Sequence, residues 1–124
     1  MLTVNFETDC AVLGKLYAEL KIDIPVSGSN FLLREDRKPI GLMRVEIGDF
    51  VRITHFMLLK EHLNYENREF FLRAMMFKFS LNTYPLAADG DVEELKKFGF
   101  VFDGERTVIN SADINLHGEC EGKK

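Results

Sequence analysis

The stretch that decides the fold is FVRITHFMLLKEHLNYENREFFLRAMMFKFSL, residues 50–81. Residues 50–59 alternate with the period of two that is typical of a strand. Asn64 can then cap a long helix that runs to Leu81. Five apolar residues recur in it at helical spacing: Phe70, Phe71, Ala74, Met75 and Phe77. We expect them to bury one broad face of the helix, and to pack in the core rather than bind a ligand.

Two further strands are predicted immediately before this stretch. We interpret the runs at residues 31–33 and 40–47 with the same period of two. Turn-forming residues at 37–39 and 48–49 separate the runs. Together with residues 50–59, the two runs predict three consecutive antiparallel strands.

The N-terminal residues predict one strand and one helix. Residues 2–6 alternate as a strand, and Thr8 or Asp9 can cap the helix that follows. This helix carries apolar residues at helical spacing: Val12, Leu13, Leu16, Tyr17 and Leu20. Residues 24–30 contain proline, glycine and small polar residues, which favour a loop over a second helix.

The residues after the long helix predict a buried strand. Residues 82–85, with Pro85 last, end the helix because the residue before a proline disfavours helical backbone angles. Residues 86–88 form a short apolar run, which is typical of a strand buried on both faces. We expect this strand to lie parallel to residues 50–59.

A short helix and a hairpin complete the predicted elements. Asp91 and Glu94 have the spacing of a capping box for a helix that ends at Gly99. The pair Asp103-Gly104 is the strongest short-range hairpin signal in the chain. The last strands are therefore expected to pair with each other around this turn.

The order of these elements resembles that of the general N-acetyltransferase (GNAT) superfamily over most of residues 2–110. Residues 56–60, which run straight into the long helix, resemble the strand and helix that hold acetyl-CoA in that family. Residues 91–100 resemble the family's late helix, which ends in Gly-Phe. The resemblance implies an α/β (α+β) fold whose mixed, mostly antiparallel sheet is flanked by helices. We expect one GNAT-like domain over residues 1–116 and a frayed tail at residues 117–124.

The family's phosphate loop has the pattern Gln/Arg-x-x-Gly-x-Gly/Ala. Its glycines let backbone N–H groups at a helix N-terminus approach the pyrophosphate. The matching positions here are Leu63, Asn64, Tyr65, Glu66, Asn67 and Arg68. Both glycines are missing, and the carboxylate of Glu66 would repel phosphate while it stabilises the helix dipole. The phosphate loop is therefore degenerate, and we expect the helix to cap itself.

The resemblance implies a set of cofactor-binding residues even so. It places the backbone of Phe56, Met57 and Leu58 along the pantetheine groove, and Asn67 and Arg68 at the phosphate position. Arg68 could hold a phosphate through its fork of donors, although a solvent-exposed arginine is the competing interpretation. Acetyl-CoA or another acyl-CoA is the implied cofactor, and the missing glycines count against it.

The catalytic residues of the family are replaced in this chain. Leu95 stands where many members have a tyrosine as general acid, four residues before the late glycine, and a leucine cannot donate a proton. Arg52 stands where some members have a glutamate as general base. The general acid and base are therefore unknown.

His55 is the remaining candidate for a base near pH 7. Strict alternation along the strand places its side chain on the face opposite to Arg52, Thr54 and Phe56. A structural or exposed histidine is the expected role. Glu46, in the preceding strand, has no carboxylate partner at a recognisable spacing and is expected to be solvated.

Composition excludes several classes of function. A formal net charge of -4 and a pI near 5.4 give no broad positive field for nucleic acid. The longest apolar runs are far shorter than the roughly 20 residues of a membrane span. Cys10, Cys120, His62 and His117 show no metal-ligand spacing, so no metal is expected. The absence of an N-terminal signal pattern predicts a cytoplasmic protein.

Two functions remain open from the sequence. The first is an acyl-CoA-dependent N-acyltransferase with unusual cofactor contacts, which acts on a small molecule or another amine. The alternative is a non-catalytic GNAT-like module that binds a ligand or partner, or forms a homo-oligomer, through the former cofactor cleft. The resemblance in fold supports both equally, because a fold does not determine a function.

Overall fold

A computed structural model describes residues 1–80 and 85–110 of the chain. The elements of this part are β1 (Leu2–Glu7), α1 (Cys10–Leu20), β2 (Ser29–Glu35), β3 (Lys38–Ile47), β4 (Val51–Leu58), α2 (Tyr65–Phe79), β5 (Leu86–Asp89), α3 (Glu93–Lys96), β6 (Val101–Phe102) and β7 (Arg106–Ile109). A short 3-10 helix, Lys60–His62, joins β4 to α2. The predicted helix end at residues 82–84, the tail at residues 117–124, His117 and Cys120 lie outside the described residues.

The strands form one mixed sheet in the order β1-β2-β3-β4-β5-β7-β6. Neighbouring strands are antiparallel, except that β4 and β5 run parallel from the pair Val51 and Leu86 to the pair Ile53 and Ala88. Helix α2 connects these two strands, as parallel pairing requires a crossover. The predictions of three consecutive antiparallel strands and of a parallel, buried strand at residues 86–88 are confirmed.

Helix α1 covers one face of the sheet. The carboxylate of Asp9 caps it by accepting hydrogen bonds from the N–H groups of Ala11, at 2.9 Å, and Val12, at 3.4 Å. Its buried side chains are Leu13, Leu16, Tyr17 and Leu20. They form one apolar cluster with Leu32 and Leu42 of the sheet, and this burial holds the helix in place.

Helix α2 covers the other face, and it is rotated from its predicted orientation. Its buried side chains are Phe71, Leu72, Met75, Met76 and Phe79. Phe77 is 59% exposed and Phe70 39% exposed, so the prediction that they join Phe71 and Met75 in the core is wrong. The reason is geometric, because Phe70 and Phe77 lie two turns apart on a stripe that faces away from the sheet when Phe71 and Met75 face towards it.

Helix α3 begins without the predicted capping box. Val92 occupies the cap position, and no side chain caps the helix. Asp91 forms an ion pair with Lys96 at 2.8 Å, and the carboxylate of Glu94 forms one with Arg68. Both carboxylates thus pair with cations instead of backbone N–H groups, which is why the predicted capping box is wrong.

The last two strands pair around residues 103–104, which confirms the predicted hairpin. Gly104 has a φ of +101°, in the left-handed region that favours glycine. The carboxylate of Asp103 accepts hydrogen bonds from the N–H groups of Glu105 and Arg106 and so fixes the turn.

Gly41 on β3 lets three elements approach one another closely. A Cβ there would lie 3.1 Å from Leu58 Cγ, 3.1 Å from the Met57 carbonyl oxygen and 3.3 Å from Phe71 Cε2. Because the Met57 contact is with backbone, we expect Gly41→Ala to lower the free energy of unfolding by about 1–3 kcal/mol. Gly14→Ala on α1 is the control, since nothing lies within 4 Å of its Cβ. Equal effects of the two variants in urea denaturation would contradict the close approach.

Candidate functional site

The central strand β4 contains a bulge. Arg44 of β3 pairs with His55, but the next residue, Val45, pairs with Ile53. Thr54 is therefore an extra residue on β4, and it has no pairing partner on β3. An extra residue in a strand reverses the alternation of side chains and peptide groups beyond it.

The bulge changes the direction in which the backbone of β4 points. The N–H of Val51 donates to Pro85 O at 2.8 Å, on the β5 side, whereas the N–H of Leu59 donates to Ile40 O at 2.7 Å, on the β3 side. In an unbroken strand these two groups would face the same side, because they are eight residues apart. Beyond the bulge, the peptide groups of residues 56 and 58 therefore face the β5 side.

A cleft opens where β5 departs from β4. Within the described residues, the pairing of these strands ends at Ile53 and Ala88, although β4 continues to Leu58. The space between them has a volume of about 450 Å³. Its walls are residues 52–56 of β4 and the end of β5, with α3 on one side. The peptide group of Phe56 thus lies beside an open space of the size of a ligand pocket.

Arg68 of α2 joins two helices across this cleft. Its Nε donates to Glu94 Oε2 at 2.6 Å, and its Nη2 donates to Glu94 Oε1 at 2.5 Å. The guanidinium also lies 4.2 Å from the centroid of the Phe56 ring. The Arg68 side chain is 25% exposed and bound in a bidentate ion pair, so it is neither solvated nor free.

The start of α2 caps itself, as predicted. The side chain of Asn64 accepts a hydrogen bond from the N–H of Asn67 at 2.8 Å. The side-chain amide of Asn67 in turn donates to His62 O at 2.9 Å. Glu66 adds a carboxylate to the first turn, where it favours the positive end of the helix dipole. An anion at this helix start would have to displace the Asn64 cap and approach Glu66.

The other predicted cofactor residues lie in different surroundings. Phe56 lines the cleft and contacts Phe71 edge to face, with 5.5 Å between ring centroids. Leu58 is buried in the cluster under α2, while Met57 packs against the cluster under α1. Of the five residues, Phe56 and Arg68 are brought into direct contact at the cleft.

His55 lies on the cleft, and the predicted separation of His55 from Arg52 is wrong. His55 faces Arg44 across the strands, and Arg52 faces Glu46. Arg44 and Glu46 share a face of β3, where Arg44 Nη1 donates to Glu46 Oε2 at 3.1 Å. The bulge at Thr54 therefore brings His55 to the face of Arg52, because it cancels one step of the alternation.

Arg44 anchors the bulge from beneath. Its side chain is 8% exposed, and its Nε and Nη2 donate to the carbonyl and hydroxyl oxygens of Ser27 at 2.9 and 2.8 Å. Its Nη1 donates to Thr54 Oγ1 at 2.8 Å. Thr54 Oγ1 in turn lies 3.1 Å from Arg44 O and 3.0 Å from His55 Nδ1. Burial and the nearby Arg44 cation lower the pKa of His55, and Glu46 partly opposes them.

The residues at the family's acid and base positions cannot exchange protons in this structure. Leu95 is buried in the core at the wall of the cleft. Arg52 lies 3.7 Å from the carboxylate of Asp89 and stacks over the ring of Phe50. Leu95 has no proton to donate and Arg52 lies in an ion pair, so neither residue is placed as an acid or a base.

No three His, Cys, Asp or Glu side chains among residues 1–80 and 85–110 are grouped as a metal site requires. None of the helices in the described part of the chain is long and apolar enough to span a membrane.

No protein-family model matches the sequence, and no curated protein sequence matches it significantly. Solved structures do resemble the fold. A GNAT family acetyltransferase from Brucella melitensis, in complex with acetyl-CoA, has a TM-score of 0.67 at 10% identity, over 89% of this chain and 88% of that chain. The ribosomal-protein-S18-alanine N-acetyltransferase from Escherichia coli has a TM-score of 0.65 at 12% identity, over 87% of this chain and 90% of that chain.

A third similar structure is Naa50 from Arabidopsis thaliana in complex with the bisubstrate analogue CoA-Ac-MVNAL. It has a TM-score of 0.63 at 13% identity, over 86% of this chain and 95% of that chain. Sequence identities this low establish the fold and not the activity. The chain therefore has the fold of the GNAT acetyltransferases.

Proposed function

We propose that this protein is an N-acyltransferase that takes an acyl group from an acyl-CoA and transfers it to an amine. The observation that carries the proposal is the cleft at the bulge, where the peptide groups of Phe56 and Leu58 face the open side of β4. The Brucella melitensis protein holds acetyl-CoA on the same fold, and the Arabidopsis thaliana protein holds a CoA-peptide analogue.

The pantetheine arm of the cofactor fits this cleft as an added strand. The arm is an extended chain that contains amide groups, and such a chain can pair with free peptide groups at the edge of a strand. In the proposed complex, residues 56–58 provide those groups, as the resemblance in sequence implied. The thioester end then lies beside the bulge, next to Thr54 and His55.

The phosphate end of the cofactor requires different contacts from those of a glycine-rich loop. Asn67 already uses its N–H in the Asn64 cap, so Arg68 is the cation in the best position for an anionic group. Glu94 holds Arg68 now, and its carboxylate competes with any phosphate for the same donors. We propose that Arg68 binds the cofactor only after it releases Glu94.

This competition predicts that substitutions of Arg68 and of Glu94 have opposite effects on the affinity for acetyl-CoA. Glu94→Gln removes a negative charge from the cleft and frees Arg68, so we expect acetyl-CoA to bind several-fold more tightly. Arg68→Gln removes the cation and should weaken binding about tenfold. Calorimetric titration with acetyl-CoA measures both affinities.

The control for charge is Glu93→Gln. Glu93 neighbours Glu94 in sequence, but its side chain is 80% exposed and pairs with Lys96. The substitution Glu93→Gln should leave the affinity for acetyl-CoA nearly unchanged. If Glu94→Gln tightened binding no more than Glu93→Gln does, the competition between Glu94 and the cofactor would be excluded.

The proposed function itself is tested by binding and transfer together. We expect acetyl-CoA to bind in the micromolar range, and expect free thiol and an acetylated amine to form when a mixture of small amines and peptides is added. Mass spectrometry identifies the acetylated product. No heat of binding at millimolar acetyl-CoA would contradict the proposal.

The alternative is a module that uses the cleft without catalysis. It is favoured by the buried Leu95 at the family's acid position and by the capped start of α2. Such a module would bind a ligand, a partner or a second copy of itself. Acetyl-CoA binding without transfer to any amine, or a stable dimer that buries the cleft, would support this alternative.

A further inference from the structure

We propose that His55 is the general base of this site, and that Thr54 and Arg44 are positioning residues that direct its Nε2 towards the cleft. The inference rests on the proposed acyltransferase function. Its basis is geometric, since His55 lines the cleft beside the bulge while its Nδ1 lies 3.0 Å from Thr54 Oγ1.

The hydrogen bonds around Thr54 select one tautomer of His55. A hydroxyl group has one hydrogen to donate and two lone pairs to accept with. Arg44 Nη1 uses one lone pair, and the carbonyl oxygen of Arg44, at 3.1 Å, is a partner for the hydroxyl hydrogen. All three contacts are satisfied only when His55 Nδ1 carries a proton and donates to the second lone pair. Nε2 is then unprotonated and can accept a proton.

The charges around His55 favour its neutral form. Burial and Arg44 lower its pKa, and Glu46 acts in the opposite direction. The charged groups that line the cleft with it are Glu46 of β3, Arg52 of β4, Asp89 of β5, Arg68 of α2 and Glu94 from α3. The two arginines among them are paired with Asp89 and Glu94. Arg44 is itself paired with Glu46, but it lowers the pKa of His55 by more than Glu46 raises it. A neutral imidazole at pH 7 is the form that a base requires.

The proposed step balances in protons and bonds. The neutral amine attacks the carbonyl carbon of the thioester, a C–N bond forms, and the nitrogen gives its proton to Nε2 of His55. The C–S bond then breaks, and the leaving thiolate takes the proton from the imidazolium. The products are an amide and a free thiol, and His55 returns to its neutral form.

Steady-state kinetics test the role of His55 as a base. We expect His55→Gln to lower kcat by about 10²- to 10⁴-fold. For the parent protein, kcat should rise with pH through a pKa below the ordinary value of about 6.5 for histidine. This rising limb of the pH profile should be absent in His55→Gln. An unchanged kcat in His55→Gln, or an unchanged limb, would overturn the assignment.

The positioning role is tested with Thr54→Val and the conservative Thr54→Ser. The valine removes the hydroxyl and should reduce kcat and shift the pKa of the limb, whereas the serine should restore both. Equal behaviour of the two variants would show that the hydroxyl does not position the ring.

NMR of the imidazole nitrogens separates this inference from the proposed function. The His55 signals are identified as those lost in His55→Gln, and we expect a protonated Nδ1 and an unprotonated Nε2 in the parent protein near pH 7. The opposite tautomer overturns the base whether or not transfer is detected. If the expected tautomer is found but no acyl transfer is detected, the proposed acyltransferase function is contradicted, and the catalytic role of His55 with it.

Discussion

Phe71→Ala is expected to lower the free energy of unfolding by about 3–5 kcal/mol, the largest loss of stability that we predict for a single apolar substitution. Phe71 is fully buried between α2 and the sheet. Its ring contacts Phe56 edge to face at an interplanar angle of 79°, and it also lies against Gly41. The loss combines the transfer of a large side chain with the cavity that it leaves, because β3, β4 and α2 meet there and cannot all collapse into it.

Phe77→Ala is the matched control for this prediction. It removes the same side chain from the same helix, but Phe77 is 59% exposed, and we expect a change within about 0.5 kcal/mol. Urea denaturation gives both values, provided that the slope of the unfolding free energy with urea stays the same. A loss of less than about 1 kcal/mol for Phe71→Ala would contradict the orientation of α2.

Arg44→Met is expected to lower the free energy of unfolding by about 2–4 kcal/mol. Methionine fills much of the same volume but donates no hydrogen bond. Its introduction removes the hydrogen bonds of the guanidinium to the hydroxyl and carbonyl oxygens of Ser27 and to Thr54 Oγ1. The Ser27 carbonyl keeps the side-chain amide of Asn30 as a donor, at 3.1 Å. Since Glu46 is half exposed, its lost ion pair adds little, and the loss of three hydrogen bonds from a buried charged side chain dominates the effect.

The control for this substitution is Arg73→Met on α2. Arg73 is 43% exposed and forms an ion pair with Glu69 within the helix. Pairs of this kind stabilise a protein by less than about 1 kcal/mol. If the two arginine variants unfolded at the same urea concentration, Arg44 would not anchor the bulge, and the role of Thr54 in orienting His55 would lose its support.

The period of the apolar residues was sufficient to predict most of the fold. Alternation in residues 31–59 and the apolar run at residues 86–88 predicted the arrangement of the central strands. The face of α2 was harder to predict, because Phe70 and Phe77 are as apolar as Phe71 and Met75. Sequence spacing gives two apolar stripes here, and only packing against the sheet decides which of them is buried.

The site was harder to predict than the fold, because long-range contacts determine it. The bulge leaves no mark in the sequence, since Thr54 follows Ile53 as a polar residue does in any alternating strand. Its position depends on Arg44 from the neighbouring strand. The pairing of Arg68 with Glu94 joins residues 26 positions apart, so local spacing indicated a capping box instead. The missing glycines at the start of α2 could be recognised from the sequence alone, because a loop motif consists of consecutive residues.

The bulge also has a consequence for how this protein can evolve. A single extra residue, which is one codon, turns the peptide groups of β4 towards the cleft. Residues 56–59 are apolar on both faces of the strand, so deletion of Thr54 would exchange one set of apolar side chains for another. Loss of the cleft would therefore preserve the hydrophobic pattern of the strand. An open and a closed form of the sheet would therefore differ by a single residue, and the apolar pattern of β4 would not distinguish them.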